Sequence, residues 1–155
     1  MKFNAIKWVD RGPDIDKNIV AQVEQRIGIR FPGALVWFWT EVANGGHPTP
    51  PPEIPLYGIE GHDLVDIDGI YGIASLPGYD LADALKIPGI TRLLPRLLPI
   101  GFDPGGGRLF IVCDEPDYGQ IRYMLLDDIW DESQVPEGYF VANNMQEFAE
   151  FFGVH

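Results

Sequence analysis

The spacing of the apolar residues changes twice along this chain, and these changes restrict the fold more than any other feature of the sequence. Apolar residues recur at helical intervals up to Val42, form short strand-like runs between Leu56 and Leu126, and return to helical intervals after Asn144. Helices that bracket a block of strands are typical of an α+β domain. We therefore predict a single α+β domain over residues 1–155, with a mostly antiparallel sheet.

Two helices are predicted at the start of the chain. The first has Asp14 or Asp16 as its N-cap and ends at Gly28, because glycine readily adopts the left-handed conformation that follows a helix. The second begins at Phe31-Pro32 and ends at Asn44-Gly45-Gly46. Their apolar positions are Ile19, Val23 and Ile27 in the first helix and Leu35, Phe38, Trp39 and Val42 in the second. Trp37 lies off this stripe and is interpreted as a packing residue rather than as a partner anchor.

Two more helices are predicted later in the chain. A short central helix covers Asp80 to Lys86. The last helix begins at Asn144, where Glu147 completes a variant of the capping box ahead of three phenylalanines. Phe148, Phe151 and Phe152 recur on one face, so this helix is predicted to belong to the core.

The middle of the chain is predicted to form a loop and then strands. Five prolines between Gly46 and Pro55 remove backbone donors, so this segment is predicted to be a loop. The predicted strands are Leu56 to Ile59, Ile70 to Ala74, Leu97 to Ile100, Arg108 to Asp114 and Gln120 to Leu126. The last two are predicted to form a hairpin, because the proline and glycine between Asp114 and Gly119 suit a turn.

Acidic residues are unevenly placed along the chain, whose formal net charge is -12. Eight lie between Phe31 and Leu85 and seven between Tyr123 and His155, and neither stretch contains lysine or arginine. Like charges on one surface sum to a field that reaches about 8 Å at physiological salt, so such a surface attracts cations and repels phosphate. The basic residues form no cluster, which disfavours nucleic acid and favours a basic protein as partner. Scattered acids that only keep the protein soluble are the alternative.

No complete catalytic or metal-binding pattern is found in the sequence. Gly105-Gly106-Gly107 leads into a strand rather than into the helix that a phosphate-binding loop requires. The acids around Asp66 resemble a calcium loop, but Leu64 and Ser75 occupy positions where acidic ligands are needed. Cys113, the only cysteine, is interpreted as a buried thiol within a strand. We therefore predict no enzymatic activity, no cofactor and no metal.

The sequence also carries a prediction about location. The N-terminus lacks the apolar stretch of a signal peptide, and no apolar run approaches the ~20 residues of a membrane span. A single cysteine excludes an intrachain disulfide and suits a reducing compartment. These features predict a soluble cytoplasmic protein with no membrane partner.

Three motifs follow one another along the chain in the order of a known protein family. The first is Ile27 to Pro32 with Asn44-Gly45-Gly46 after the second helix, and the second is Leu97 to Asp103 with glycines and a partner strand ending in Asp127-Asp128. The third is Val141 to Phe148. Together they resemble the SUKH superfamily, which includes a yeast regulator of cell-wall assembly and many bacterial immunity proteins of toxin systems.

The resemblance implies an α+β fold with helices packed around a sheet. It also implies binding rather than catalysis, because many bacterial members neutralise a co-encoded toxin, often a nuclease or deaminase, by direct contact. The family pattern supplies no fixed binding residues, so the candidates rest on charge. The candidate partner-binding residues are Asp63, Asp66, Asp68, Asp127, Asp128, Asp131 and Glu132.

Two functions follow from these observations. The leading hypothesis is an immunity protein whose acidic face mimics phosphate and blocks a basic toxin domain. The alternative is a scaffold or regulatory module of the cell-wall regulator type. In that case Pro48 to Pro55, which departs from the family pattern, would itself be a polyproline ligand.

Overall fold

The computed structural model describes residues 6–57 and 64–154 of the chain. The helices in this part are α1 (Lys17–Ile27), α2 (Gly33–Glu41), α3 (Leu81–Ala84), α4 (Leu126–Trp130) and α5 (Met145–Glu150), with a 3-10 helix at Thr91–Leu93. The strands are β1 (Lys7–Val9), β2 (His47–Thr49), β3 (Glu53–Pro55), β4 (Leu64–Asp66), β5 (Gly69–Ile70), β6 (Leu97–Phe102), β7 (Arg108–Val112), β8 (Ile121–Met124) and β9 (Tyr139–Ala142).

The main sheet has five antiparallel strands in the order β5-β6-β7-β8-β9. Two separate pairs, β1 with β2 and β3 with β4, form two-stranded antiparallel sheets. The predicted hairpin is confirmed, since β7 and β8 pair with Phe110 opposite Arg122. The α+β class and the mostly antiparallel sheet are confirmed as well.

Both faces of the main sheet are covered, because alternate residues of its central strands are apolar on either side. One face packs against α1, α2 and α5, whose fully buried side chains include Phe38, Trp39 and Phe148. The opposite face of β6, β7 and β8 packs against Ile90 near the 3-10 helix and Ile129 of α4. The acidic helix α4 is therefore fixed to the body of the protein by its apolar side.

The helix ends follow the sequence signals closely. The Asp16 carboxylate accepts a hydrogen bond of 2.9 Å from the backbone N–H of Ile19, and Gly28 ends α1 with φ of 80°. Asn144 accepts from the backbone N–H of Glu147 at 2.8 Å. The Glu147 carboxylate accepts in return from Asn143, one residue before the position that the capping box predicts.

The apolar face of α1 is shifted relative to the prediction. Val20 and Val23 are its buried residues, whereas Ile19 and Ile27 are half-buried. Trp37 on α2 is also half-buried and packs against the main core, as interpreted from the sequence.

The prediction that Gly46 to Pro55 is a loop was wrong in part, because β2 and β3 lie within it. Proline is tolerated in these strands because each pairs on one side only among the described residues, and a missing donor on the other side costs little. Pro48 pairs opposite Trp8 of β1, and Ile54 of β3 pairs opposite Val65 of β4 and is fully buried. Pairing with distant segments therefore decides the structure of this region.

Several strand boundaries also differ from the prediction. Leu56 and Tyr57 are not in a strand, and the other two residues of that predicted run lie outside the described residues. In the run Ile70 to Ala74, only Ile70 belongs to a strand, and Gly72 forms an isolated bridge to Asp80. The run Gln120 to Leu126 ends as a strand at Met124, because the chain turns into α4 to cover the second sheet face.

Candidate partner-binding surface

The stretch 126–137, here called the acidic segment, contains α4 and the chain that leads towards β9. Arg92 anchors it from the 3-10 helix. The Arg92 guanidinium donates to the backbone carbonyl oxygens of Ile129 at 3.0 Å, Asp131 at 2.9 Å and Gln134 at 2.6 Å. It also approaches the carbonyl of Asp128 at 3.3 Å. These bonds satisfy carbonyls at and beyond the C-terminus of α4, which no helical amide can reach.

Two more arginines bind the same segment through its main chain. Arg96 donates to the carbonyl of Pro136 at 3.3 Å, and Arg122 donates to the carbonyl of Glu137 at 2.9 Å. The Arg122 guanidinium also forms an ion pair of 2.8 Å with Asp117, outside the segment. The arginines thus hold the segment by its main chain and form no ion pair with its carboxylates.

The predicted site residues of the second acidic block, the stretch from Tyr123 to His155, all lie on this segment. Asp127 and Asp128 are in the first turn of α4, and Asp131 and Glu132 follow its last residue. The pair Asp127-Asp128 therefore lies in a helix and not at the end of the partner strand, which ends at Met124. Across residues 6–57 and 64–154, the ion pairs involve Asp14, Asp68 and Asp117 but none of these four acids.

Asp131 is held in its charged form by a local contact. Its carboxylate accepts hydrogen bonds from the Ser133 side chain and from the Ser133 backbone N–H at 3.0 Å, and these bonds lower the pKa of Asp131. Both bonds favour the ionised carboxylate. The exposed carboxylate therefore stays negative at any pH near neutrality.

Exposed apolar side chains lie among these charges. Trp130, the last residue of α4, is 59% exposed, and Val135 is 64% exposed. Phe140 on β9 is also exposed. A tryptophan surrounded by charge is the arrangement of an interface anchor with a polar rim. Trp130 was not singled out from the sequence, although its position between Asp127-Asp128 and Asp131-Glu132 was an available signal.

The predicted site residues of the first acidic block, the stretch from Phe31 to Leu85, do not lie together in the fold. Asp66 is exposed on β4 and lies directly opposite Glu53 on β3. Asp68 instead lies beside His47, whose Nδ1 is 3.4 Å from the Asp68 carboxylate and 2.6 Å from the Asp68 carbonyl oxygen. Asp63 lies outside the described residues.

Asp66 and the start of the acidic segment meet at one cavity. Asp66, Asp103, Tyr123 and Leu125 line it, and Leu125 immediately precedes α4. One residue of the first block therefore lies next to the segment that carries the second block. Asp68 is not part of this cavity lining.

Asp103 is a buried acid that sequence reasoning missed. Its carboxylate accepts from the backbone N–H of Gly107 at 2.9 Å and from the hydroxyl of Tyr123. Burial and the bond to Asp103 raise the pKa of Tyr123 above its usual range. The glycines at 105–107 form the turn that closes around this carboxylate, so their role is structural. An aspartate directly before a Pro-Gly-Gly-Gly turn was the available signal.

The motif Asn44-Gly45-Gly46 is also structural. The Asn44 side chain donates to the carbonyls of Pro13 at 2.9 Å and Ile73 at 2.8 Å and accepts from the Ile73 backbone N–H. A Cβ atom on Gly45 would lie 2.8 Å from the backbone nitrogen of Gly72. The motif therefore joins the end of α2 to the chain that follows β5.

The remaining candidates for chemistry are the thiol of Cys113 and groups of metal-ligating side chains. The interpretation of Cys113 as a buried residue within a strand was wrong in part, because it lies one residue beyond β7 and is half-buried. Even this partial burial raises the pKa of its thiol to about 11. In the part of the chain that the structure describes, no three His, Cys, Asp or Glu residues are placed to hold a metal ion. None of the helices described here is long and apolar enough to cross a membrane.

Helices on both sides of an antiparallel sheet, with the three motifs in their expected order, define an α+β protein of the SUKH type. A model of the SMI1 / KNR4 family (SUKH-1) matches residues 14–150, so the chain belongs to this family. This match confirms the resemblance that the sequence motifs indicated. No curated protein and no solved structure matches the chain.

Proposed function

We propose that this protein is a non-enzymatic immunity protein that binds and neutralises a cognate bacterial toxin, one that acts on nucleic acid, through the acidic segment. One observation carries the proposal. Arg92, Arg96 and Arg122 hold the segment by its backbone carbonyls, which leaves the carboxylates around the exposed Trp130 available to a partner.

The charge of the segment suits such a partner. A toxin domain that binds nucleic acid presents lysine and arginine to phosphate, and a row of carboxylates competes for the same groups. Complementary charge mainly accelerates association and excludes wrong partners, whereas a desolvated aromatic side chain supplies short-range affinity. Asp127, Asp128, Asp131 and Glu132 would serve the first purpose and Trp130 the second.

A binding role also agrees with the state of the only thiol. Because burial raises the pKa of Cys113 to about 11, this side chain is protonated at neutral pH and is a poor nucleophile.

The structure bears on the alternative in which Pro48 to Pro55 acts as a polyproline ligand. Pro48 and Pro52 are buried, and the segment contributes β2 and β3 to two strand pairs. Binding in an extended polyproline form would require the segment to leave both pairs. A regulatory module of the cell-wall regulator type would therefore need another surface.

The test is binding to the toxin domain encoded beside this chain, measured by surface plasmon resonance. The variant replaces Asp127, Asp128 and Asp131 with Asn and Glu132 with Gln. We expect its association rate to fall at least about tenfold, because steering charges act on the on-rate.

The matched control removes the same charge elsewhere, from exposed acids outside the segment. It carries the substitutions Asp14→Asn, Glu41→Gln, Glu115→Gln and Glu150→Gln. An equal loss in both variants would show that only net charge matters, and no loss in either would sink the acidic-segment mechanism. If no neighbouring gene encodes a toxin and the chain protects no cell from one, the regulatory alternative becomes the better account.

A further inference from the structure

A cavity of about 300 Å³ lies beside the turn between β6 and β7, at the start of the acidic segment. Its lining residues include the apolar Leu56, Leu64 and Leu125 and the acidic Asp66 and Asp103. An aliphatic wall with acidic groups fits a ligand that has an apolar stem and a cationic end.

The buried carboxylate of Asp103 is the first reason to infer a ligand. Asp103 is only 9% exposed, and its two hydrogen-bond donors, the Gly107 N–H and the Tyr123 hydroxyl, are both neutral. A carboxylate offers about four acceptor positions, so capacity for further bonds remains. Among the described residues, no ion pair includes Asp103. The charge of Arg108 acts on the neighbouring Tyr123, but its guanidinium donates to the Gly106 and Gly107 carbonyls and forms no ion pair with Asp103. A cation in the cavity would therefore further stabilise this buried carboxylate.

Asp66 supplies the second reason. It lines the same cavity but is exposed, and it lies directly opposite Glu53 in the β3–β4 pair. Like charges at directly opposed positions of a strand pair are destabilising. A cation bound beside Asp66 would offset this repulsion.

We propose that the cavity receives one lysine or arginine side chain of a protein partner. The methylene stem lies along the leucine wall, and the cationic end binds between Asp66 and Asp103, where hydrogen bonds to charged groups are strong. The inference rests on the proposed function, and it adds a specific receptor for one basic residue to the diffuse attraction of the acidic segment.

The test needs no natural partner. The full chain, labelled with ¹⁵N, is titrated with acetyl-Gly-Arg-Gly-amide or acetyl-Gly-Lys-Gly-amide, and amide chemical shifts are followed by NMR. The control peptide carries citrulline, which keeps the shape of arginine but has no charge. We expect saturable shifts at Gly105, Gly107 and Leu125 with at least one basic peptide and none with citrulline.

Two variants test the carboxylates separately. Asp103→Asn keeps the size of the side chain and its ability to accept from Gly107, and Asp66→Asn changes only an exposed position. Each should weaken binding of the basic peptide about tenfold, because each removes a charge-assisted hydrogen bond. The matched control, Asp14→Asn, removes one charge that does not line the cavity and should leave binding unchanged.

The outcomes separate this inference from the proposed function. Chemical-shift changes with the citrulline peptide equal to those with the basic peptides would overturn the proposed cavity site, and so would equal peptide binding by the wild type and both variants. Either result would leave the proposed function standing if the four-acid variant still binds a toxin slowly. Saturable binding that depends on Asp66 and Asp103 would support the cavity even if no toxin is neutralised. Agmatine that binds far more tightly than either peptide would point to a free polyamine and overturn the assignment to a protein side chain.

Discussion

Arg92 shows how single side chains position the candidate surface. Its guanidinium is bound by carbonyls that lie 36 to 42 residues further along the chain, in and after α4. Asn44 acts in the same way at the end of α2, since it binds the main chain at Pro13 and Ile73. In both cases one polar side chain replaces regular secondary structure as the hydrogen-bond partner of backbone groups that are distant in sequence.

We predict that Arg92→Ala destabilises the protein by about 2 kcal/mol, because it leaves several partly buried carbonyls without a donor. Arg92→Lys should restore little, since an ammonium lacks the planar fork that reaches several acceptors at once. The measurement is urea unfolding followed by circular dichroism.

The control for this prediction is Arg11→Ala. Arg11 only approaches the exposed Asp14 carboxylate at 3.9 Å, so its loss should change stability by less than about 1 kcal/mol. Equal effects at the two arginines would contradict the anchoring role of Arg92.

Cys113 gives a prediction about alkaline pH. Burial, and secondarily the neighbouring Asp114 carboxylate, raises the pKa of Cys113 to about 11, so the folded protein holds this proton more tightly than the unfolded chain does. The stability that this difference contributes is complete below the pKa of the unfolded thiol and is lost as the pH rises towards 11. Tyr123, whose pKa is also raised, adds a loss of the same sign.

We therefore expect the free energy of unfolding to fall between about pH 8 and pH 10.5, and to fall less steeply in Cys113→Ala. Urea unfolding at several pH values measures both slopes. Parallel slopes for the two proteins would show that the thiol is not buried as described.

At the scale of elements, sequence reasoning succeeded where local signals decide the structure. The ends of α1 follow from Asp16 and Gly28, and the β7–β8 hairpin follows from its turn residues. It failed where distant contacts decide. The helix α4 is too short to display a periodicity, and it is fixed by Arg92 and by the apolar face that Ile129 covers.

The terminal helix α5 gives the prediction at this scale. Phe148 is fully buried against Phe38 of α2, at a ring separation of 6.2 Å. Phe148→Ala should cost about 3 to 5 kcal/mol, because a large buried ring leaves a cavity behind. Phe140→Ala is the matched control, and its exposed ring should cost less than about 1 kcal/mol.

Thermal or urea unfolding gives both values. Similar losses at the two phenylalanines would mean that α5 is peripheral to the core. Removing 145–155 should abolish cooperative unfolding for the same physical reason, since Met145, Phe148 and Phe152 are all buried.

At the scale of the whole molecule, the sequence located the charge of the candidate surface but not its shape. Asp127, Asp128, Asp131 and Glu132 share one short segment because they are close in sequence, and none of them forms an ion pair in the described part of the chain. The first block could not be assigned in the same way, since its fate depends on partners such as His47 that only the fold brings near. Exposure of Trp130 likewise depends on which face of α4 the sheet covers.

The last prediction separates the charges of the acidic segment from its aromatic anchor. Charges act over a Debye length, so added salt should lower the association rate of the wild type and change that of the four-acid variant much less. Trp130→Ala should leave the association rate and its salt dependence intact, because the aromatic side chain is buried only after the charges have brought the two proteins together. The loss of this contact should raise the dissociation rate at least about tenfold. Val9→Ala, at another exposed apolar position, should change neither rate. Surface plasmon resonance with the proposed toxin partner at low and high salt measures all of these rates. If Trp130→Ala leaves both rates unchanged, the tryptophan is not the anchor, and the contact surface lies elsewhere on the protein.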